Sequence, residues 1–338
     1  MTLTASRRAF VGGAVAAMGL RPAPAQAGPF PSRSLLPWAS GCATDELLPT
    51  AFEQYRGRPV DVRTLFWQRA SWAGMEKLDG LRNKLYPRGS LNKEATVITY
   101  YLFPDQESPK TGGAVIWQNA VSGMYDARHR KIAAAIALRQ GPFIFRLGHE
   151  WNGTSFSWGV IEPSQADLYK NYFCRTVDII REEMLKQGQV CLFDWCSLKR
   201  GQAKVSIDYF YPGDDYVDFI GHDRYDRFPS FKTQADWDKR YNETQYGGPV
   251  GMGQWLLYAK SKGKKLSFPE WGTSAVTAGG LGDNPFFIEK MLKFFSANAA
   301  DIGFECYFNR RAGQGGHNLT DNPLSGAKYL QLMTSGGV

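Results

Sequence analysis

The sequence predicts an α/β protein built as one (β/α)8 barrel, and three observations carry that prediction. Short apolar runs alternate with helix-like stretches along most of the chain, the pattern of a parallel sheet crossed by helices. Eight candidate strands fall within about 300 residues, the size of such a barrel with extended loops. Neither of the Gly-rich pieces Gly279-Gly280-Leu281-Gly282 and Gly313-Gln314-Gly315-Gly316 both follows a strand and opens a helix, as the phosphate-binding fingerprint requires. The nucleotide-binding turn of an open doubly wound sheet is therefore missing, and both pieces read as loops.

The elements follow in order. Residues 35–40 are the first strand candidate, and 60–67 the second, followed by a helix over 72–84. Residues 95–103 are rich in β-branched and aromatic side chains and form the third strand, and 132–138 end an Ala-rich helix. The fourth strand is 143–150. It leads to a long helix over 165–186 with acidic residues early and Lys late, as the helix dipole favours. Strands follow at 190–196, 217–222, 265–270 and 303–308, the last three separated by helices at 251–261 and 285–297. No internal repeat interrupts the series.

The N-terminal segment points to a compartment. Ser6-Arg7-Arg8-Ala9-Phe10 precedes a short apolar stretch ending at Leu20, and Ala25-Gln26-Ala27 is a small-x-small cleavage site. That order resembles the twin-arginine export signal of bacteria. The expected organisation is a leader over 1–27, a linker over 28–34 and a single barrel domain over 35–338, in a periplasmic or secreted protein. The apolar stretch is shorter than the ~20 residues a bilayer requires, so no membrane span is expected.

Composition agrees. The chain has 338 residues, 43% hydrophobic and 21% charged, which excludes a disordered tail, a collagen-like fibre and a small disulfide scaffold. Its formal charge of +8 falls to +5 once Arg7, Arg8 and Arg21 leave with the leader. No Lys/Arg cluster interleaved with aromatics is present, so no nucleic-acid partner is expected. The 5 cysteines are an odd number and fit no zinc spacing, so most are read as small buried hydrophobes. No oligomeric state follows from these features.

Catalytic side chains of a barrel sit at the C-terminal ends of its strands. Two strand candidates end on carboxylates. Arg146-Leu-Gly-His-Glu150 closes the fourth and Lys265-Leu-Ser-Phe-Pro-Glu270 the seventh, 120 residues apart, about three βα units. Strand alternation puts Ile144, Arg146, Gly148 and Glu150 on one face, and Leu266, Phe268 and Glu270 on one face of the other strand. Arg146 then lies below Glu150 inside the barrel, where its charge must be paired. Two carboxyls meeting at a common centre can be separated by environment into an acid and a base or nucleophile. Asp194 could contact sugar or pair with Lys199 and is read as support, Asp223 as the partner of a nearby cation, and Glu305 as the partner of Arg310 or Arg311. The histidines form no His-Glu-x-x-His pair, no Gly-x-Ser-x-Gly elbow is present, and no metal or cofactor is required.

Three segments resemble glycoside hydrolase family 26. They are Arg146-Leu-Gly-His-Glu-Trp-Asn-Gly153 with Trp158-Gly159, Tyr211-Pro-Gly-Asp-Asp-Tyr-Val-Asp-Phe-Ile-Gly-His-Asp-Arg-Tyr225, and Pro269-Glu-Trp-Gly272. The resemblance implies a retaining β-glycosidase of a (β/α)8 clan, best known for endo-β-1,4-mannanases, acting on a polysaccharide or oligosaccharide. It implies that Glu150 is the general acid/base and Glu270 the nucleophile. It places His149 and Asn152 at the sugar, and Tyr225 on Glu270. Trp158, Trp151 and Trp271 become sugar-stacking surfaces, with Arg146 and Asp223 in support. The sequence departs from the family at Trp151, at the polar loop Thr154-Ser-Phe-Ser157, and in a last strand without the usual Trp. Mannan, a mixed-linkage glucan and a bacterial exopolysaccharide stay open as substrates. A transglycosylase, a lyase and a non-catalytic carbohydrate-binding barrel stay open as functions.

Overall fold

The computed structural model describes residues 30–91, 93–107, 113–198, 201–227, 230–311 and 316–334. The expected leader over 1–27, the start of the linker and Lys199 lie outside the described residues. Eight parallel strands close into a barrel: β1 (Ala39–Thr44), β2 (Val62–Leu65), β3 (Ala95–Tyr100), β4 (Phe143–Leu147), β5 (Cys191–Leu198), β6 (Phe219–Tyr225), β7 (Lys265–Gly272) and β8 (Ile302–Asn309). Each pairs with its sequence neighbour among these eight, and β1 pairs with β8. β3 is buried along its whole length, as expected of a strand covered on both faces.

Among the described residues, nine α-helices pack outside: α1 (Thr50–Arg56), α2 (Trp72–Lys77), α3 (Ala114–Val121), α4 (Asp126–Ala137), α5 (Ala166–Leu185), α6 (Gln234–Tyr241), α7 (Met252–Ser261), α8 (Pro285–Ala297) and α9 (Pro323–Thr334). His129 ties this layer to the barrel. Its Nδ1 meets the Tyr100 hydroxyl at 2.9 Å and its Nε2 the Tyr172 hydroxyl at 2.6 Å. The helices α1, α3, α6 and α9 were not among the expected elements.

The N-terminal end of the barrel is plugged. Val62, Ala95, Val97, Ile144, Phe219, Phe304 and Cys306 fill its lower interior. Phe30 closes it from below, with ring centroids 6.1 Å from Phe219 and 5.7 Å from Phe304. Asp61 anchors the same segment by accepting from the backbone N–H groups of Arg33 at 2.6 Å and Ser34 at 2.8 Å. This use of residues 30–38 explains why β1 begins at Ala39 rather than at 35. The plug leaves the C-terminal end as the open face.

Two expectations about alternation change. β4 ends at Leu147, so Glu150 lies three residues past the strand rather than on it. In β7, Leu266 and Phe268 face the helices: the Phe268 ring packs against Phe294 at 6.0 Å and Phe295 at 5.0 Å. Glu270 nonetheless points inward to Arg146. Pairing with β6 and with β8 slips in register along this strand, and such an irregularity reverses the alternation.

Candidate active site

The site is built at the C-terminal ends of β4, β6 and β7 around one guanidinium. Arg146 comes from the interior face of β4 and is wholly buried. One of its nitrogens (Nη1) donates to Glu270 Oε1 and the other (Nη2) to Asp223 Oδ2. A buried Arg must be paired, and here two carboxylates from two strands share it. Asp223 accepts a further contact from the Cys196 thiol at 3.3 Å. The other oxygen of Glu270 accepts from the Tyr225 hydroxyl at 2.6 Å. Glu270 is thus held at both oxygens, one by a cation and one by a neutral donor.

Glu150 approaches from the turn after β4. Gly148 and Glu150 both adopt left-handed backbone, with φ of 56° and 53°. Glycine accepts this freely; a glutamate there carries strain of about 1–3 kcal/mol, a cost that clusters at functional positions. The Glu150 N–H is fixed by the Cys196 carbonyl at 2.9 Å. Asn152 locks the same turn: its Oδ1 accepts from Leu198 N–H at 2.7 Å and its Nδ2 donates to the Leu198 carbonyl at 3.2 Å.

The environment separates the carboxyls. Burial pushes Glu150 up to about 7, the nearby Glu270 charge adds to this, and Arg146 opposes it. Burial also raises Asp223 well above the usual carboxylate range, against the pull of Arg146. Asp194, paired in register with Arg146 on β5, is pushed to about 7 by burial. His149 is held well below its ordinary value by burial, then by Arg146 and Arg69, and is a neutral imidazole. The arrangement offers a carboxylic acid that keeps its proton near neutrality beside an ion-paired carboxylate.

The three tryptophans expected as sugar surfaces are all core residues, each with 0% exposure. Trp151 stacks on Trp195 at 4.8 Å and Tyr169 at 5.4 Å. Trp271 follows an inward residue and so faces the helices, where it meets Tyr307 at 4.9 Å and Phe295 at 5.4 Å. Trp158 packs between Phe156 and Tyr101 and donates to the His149 carbonyl at 2.7 Å. Asn152 is 1% exposed and its side chain is occupied by the backbone of Leu198, so it shapes the turn rather than facing a sugar. Glu305 pairs with neither arginine. It accepts from the indoles of Trp271 and Trp38, while Arg310 pairs with Asp45 and Arg311 with Asp321.

Phe156 was not among the expected site residues. It is half-buried, parallel to Trp158 at 4.9 Å, and its ring lies 4.3 Å from that of His149. His317 also joins the site, 4.6 Å from the Tyr225 ring. The signal for Phe156 was a lone aromatic in a polar loop after Glu150. His317 carried none, because it arrives from the distant segment after β8.

Residues 123–244 match the family model described as glycosyl hydrolase family 26. A curated mannan endo-1,4-beta-mannosidase of Bifidobacterium adolescentis is 30% identical over 184 residues. That segment is 52% of this chain but spans only 17% of the longer relative. Among solved structures, the YdhT protein from Bacillus subtilis aligns with a TM-score of 0.59 at 16% identity, covering 86% of this chain and 84% of that one. A modular endo-beta-1,4-mannanase from Cellulomonas fimi aligns with a TM-score of 0.58 at 17% identity, covering 89% and 71%. At such identities the structural likeness establishes the fold.

Proposed function

The chain is related to glycosyl hydrolase family 26, and from that premise we propose that it is an exported, retaining β-glycosidase acting within a polysaccharide chain such as β-mannan. Glu150 donates a proton to the leaving glycosidic oxygen. Glu270 attacks the anomeric carbon and forms a glycosyl-enzyme intermediate. Glu150 then takes a proton from the water that releases the product. The observation that carries the reading is the split between the two glutamates. Glu150 is protonated up to about pH 7, while Glu270 is ion-paired to Arg146 and aimed by Tyr225.

Arg146 holds Glu270 and Asp223 together from below. The guanidinium pairs with the nucleophile in a buried site, where an unpaired charge is costly. His149, neutral and packed on Phe156, offers a hydrogen bond to a sugar hydroxyl. Export rests on the twin-arginine pattern at Arg7 and Arg8, and no helix among the described residues is long and apolar enough to cross a membrane.

Incubation with β-mannan, mixed-linkage glucan and bacterial exopolysaccharides, with product sizing, tests the reading. Glu150→Ala and Glu270→Ala should each abolish cleavage, and NMR of the first-formed product should show retained β configuration. Full activity in either variant, inverted product or unsaturated chain ends would overturn it.

A further inference from the structure

A cavity of about 470 Å³ opens on the C-terminal face, lined by Phe66, Trp67 and Gln68 after β2, by Asp79 and Lys84 in the β2–β3 connection, and by Arg310 directly after β8. It is an open depression, broad enough to receive one sugar ring rather than to enclose it. It is joined to the nucleophile by a run of aromatic rings. Phe66 meets Phe308 edge-on at 5.9 Å, Phe308 meets Tyr225 edge-on at 5.7 Å, and Tyr225 bonds Glu270. The cavity thus shares the C-terminal face with Glu270, and a glycan cut there would reach it by running past these rings.

The cavity is furnished for charge. The Arg310 guanidinium lies 4.8 Å over the Phe66 ring, and its Nε donates to Asp45 at 2.7 Å. Lys84 is half-buried, and no carboxylate among the described residues lies within ion-pair distance of its ammonium. Burial pushes its amine down, Arg310 and Arg63 push it further, and Asp45 offsets this only in part. The remaining acid, Asp79, lines the same cavity, is exposed, and forms no ion pair with either cation. Two cations thus stand together at the cavity, Arg310 paired with Asp45 and Lys84 without an ion-pair partner among the described residues. A neutral sugar would leave that repulsion in place, and a carboxylate would relieve it.

We infer that this cavity is a subsite for a carboxylated sugar, a hexuronic acid or acid-substituted hexose in the chain being cut. The inference rests on the glycosidase reading above and narrows its substrate to an acidic β-glycan. The Arg310 fork and the Lys84 ammonium would hold the carboxylate from two sides.

A matched pair of probes tests it. Hexa-β-1,4-mannuronate and mannohexaose share a linkage and differ in whether each residue carries a carboxylate. Calorimetry on Glu270→Ala, which prevents turnover, should show the mannuronate bound about tenfold more tightly at low salt, the worth of one charge-assisted contact. The preference should shrink with added salt, collapse to near unity in Lys84→Met, and return in Lys84→Arg. Equal affinity for the two oligomers, or a preference untouched by Lys84→Met, would overturn the subsite. Turnover by the unsubstituted enzyme separates the two readings. Cleavage of mannohexaose without an acid preference keeps the glycosidase and removes the subsite. A Lys84-dependent acid preference without any cleavage keeps the subsite and removes the glycosidase.

Discussion

The Tyr225 hydroxyl donates to Oε2 of Glu270 at 2.6 Å, while Arg146 occupies Oε1 of the same carboxylate. One oxygen is therefore oriented by a neutral donor whose removal leaves the charge balance intact. Tyr225→Phe should lower kcat by roughly 10–100-fold, the range for a lost hydrogen bond to a charged group, with a smaller change in KM. Steady-state kinetics on the preferred polysaccharide checks this. An unchanged kcat would mean that the bond serves packing alone.

Arg146 should behave differently, because it is buried and shared. Arg146→Met leaves Glu270 and Asp223 buried without their cation. Breaking a buried pair by removing one partner costs about 3–5 kcal/mol. A large drop in thermal midpoint is expected, together with loss of activity at every pH. Arg146→Lys, which restores charge without the two-pronged geometry, should recover part of the stability and little of the activity.

Glu150 sets the alkaline limb of the pH profile. A general acid works only while protonated, and burial with the Glu270 charge holds this proton up to about 7. The plot of log kcat/KM against pH should therefore fall with a midpoint near 7 as pH rises. In Glu270→Gln the neighbouring charge is gone, so the Glu150 carboxyl, followed by carbon NMR, should titrate at a lower pH. An unmoved titration would mean that burial alone sets its value.

The buried and half-buried aromatics divide by the same test. Trp151→Ala opens a cavity between Trp195, Tyr169 and Phe210. It should destabilise the fold by about 3–5 kcal/mol without a selective effect on KM. Phe156→Ala removes a half-buried ring that contacts His149, and should raise KM with little loss of thermal stability. Melting curves and kinetics on the two variants together distinguish core from substrate surface.

The barrel was legible because its strands are buried on both faces and read as continuous β-branched and aromatic runs, β3 most clearly. The positions of Arg146 and Asp223 followed from a charge in such a strand needing a partner. The tryptophans were misassigned for a physical reason. A residue next to an inward-facing one on a strand faces outward, so Trp271 beside Glu270 belongs to the helix interface. The inward turn of Glu270 was expected, but the outward turn of Leu266 and Phe268 on the same strand was hidden, because a register slip in β7 leaves no mark in composition. The short helices α1, α3 and α6 escaped because a stretch of 7–8 residues carries little periodicity.

The proton held by Glu150 also makes stability depend on pH. Its ordinary value of 4.5 describes the unfolded chain, and about 7 describes the fold. The folded state thus binds this proton more tightly. The associated stability is fully present below the unfolded value and is lost as pH rises through the folded one. Above that point the fold carries a buried charge, a cost of about 3 kcal/mol at most by linkage. Glutamine has the same shape and no proton to lose. Glu150→Gln should therefore melt higher than the parent at pH 8, with the gap closing below pH 5. Parallel melting curves across that range check the sign, and a gap that is constant with pH would place the Glu150 proton outside the folding equilibrium.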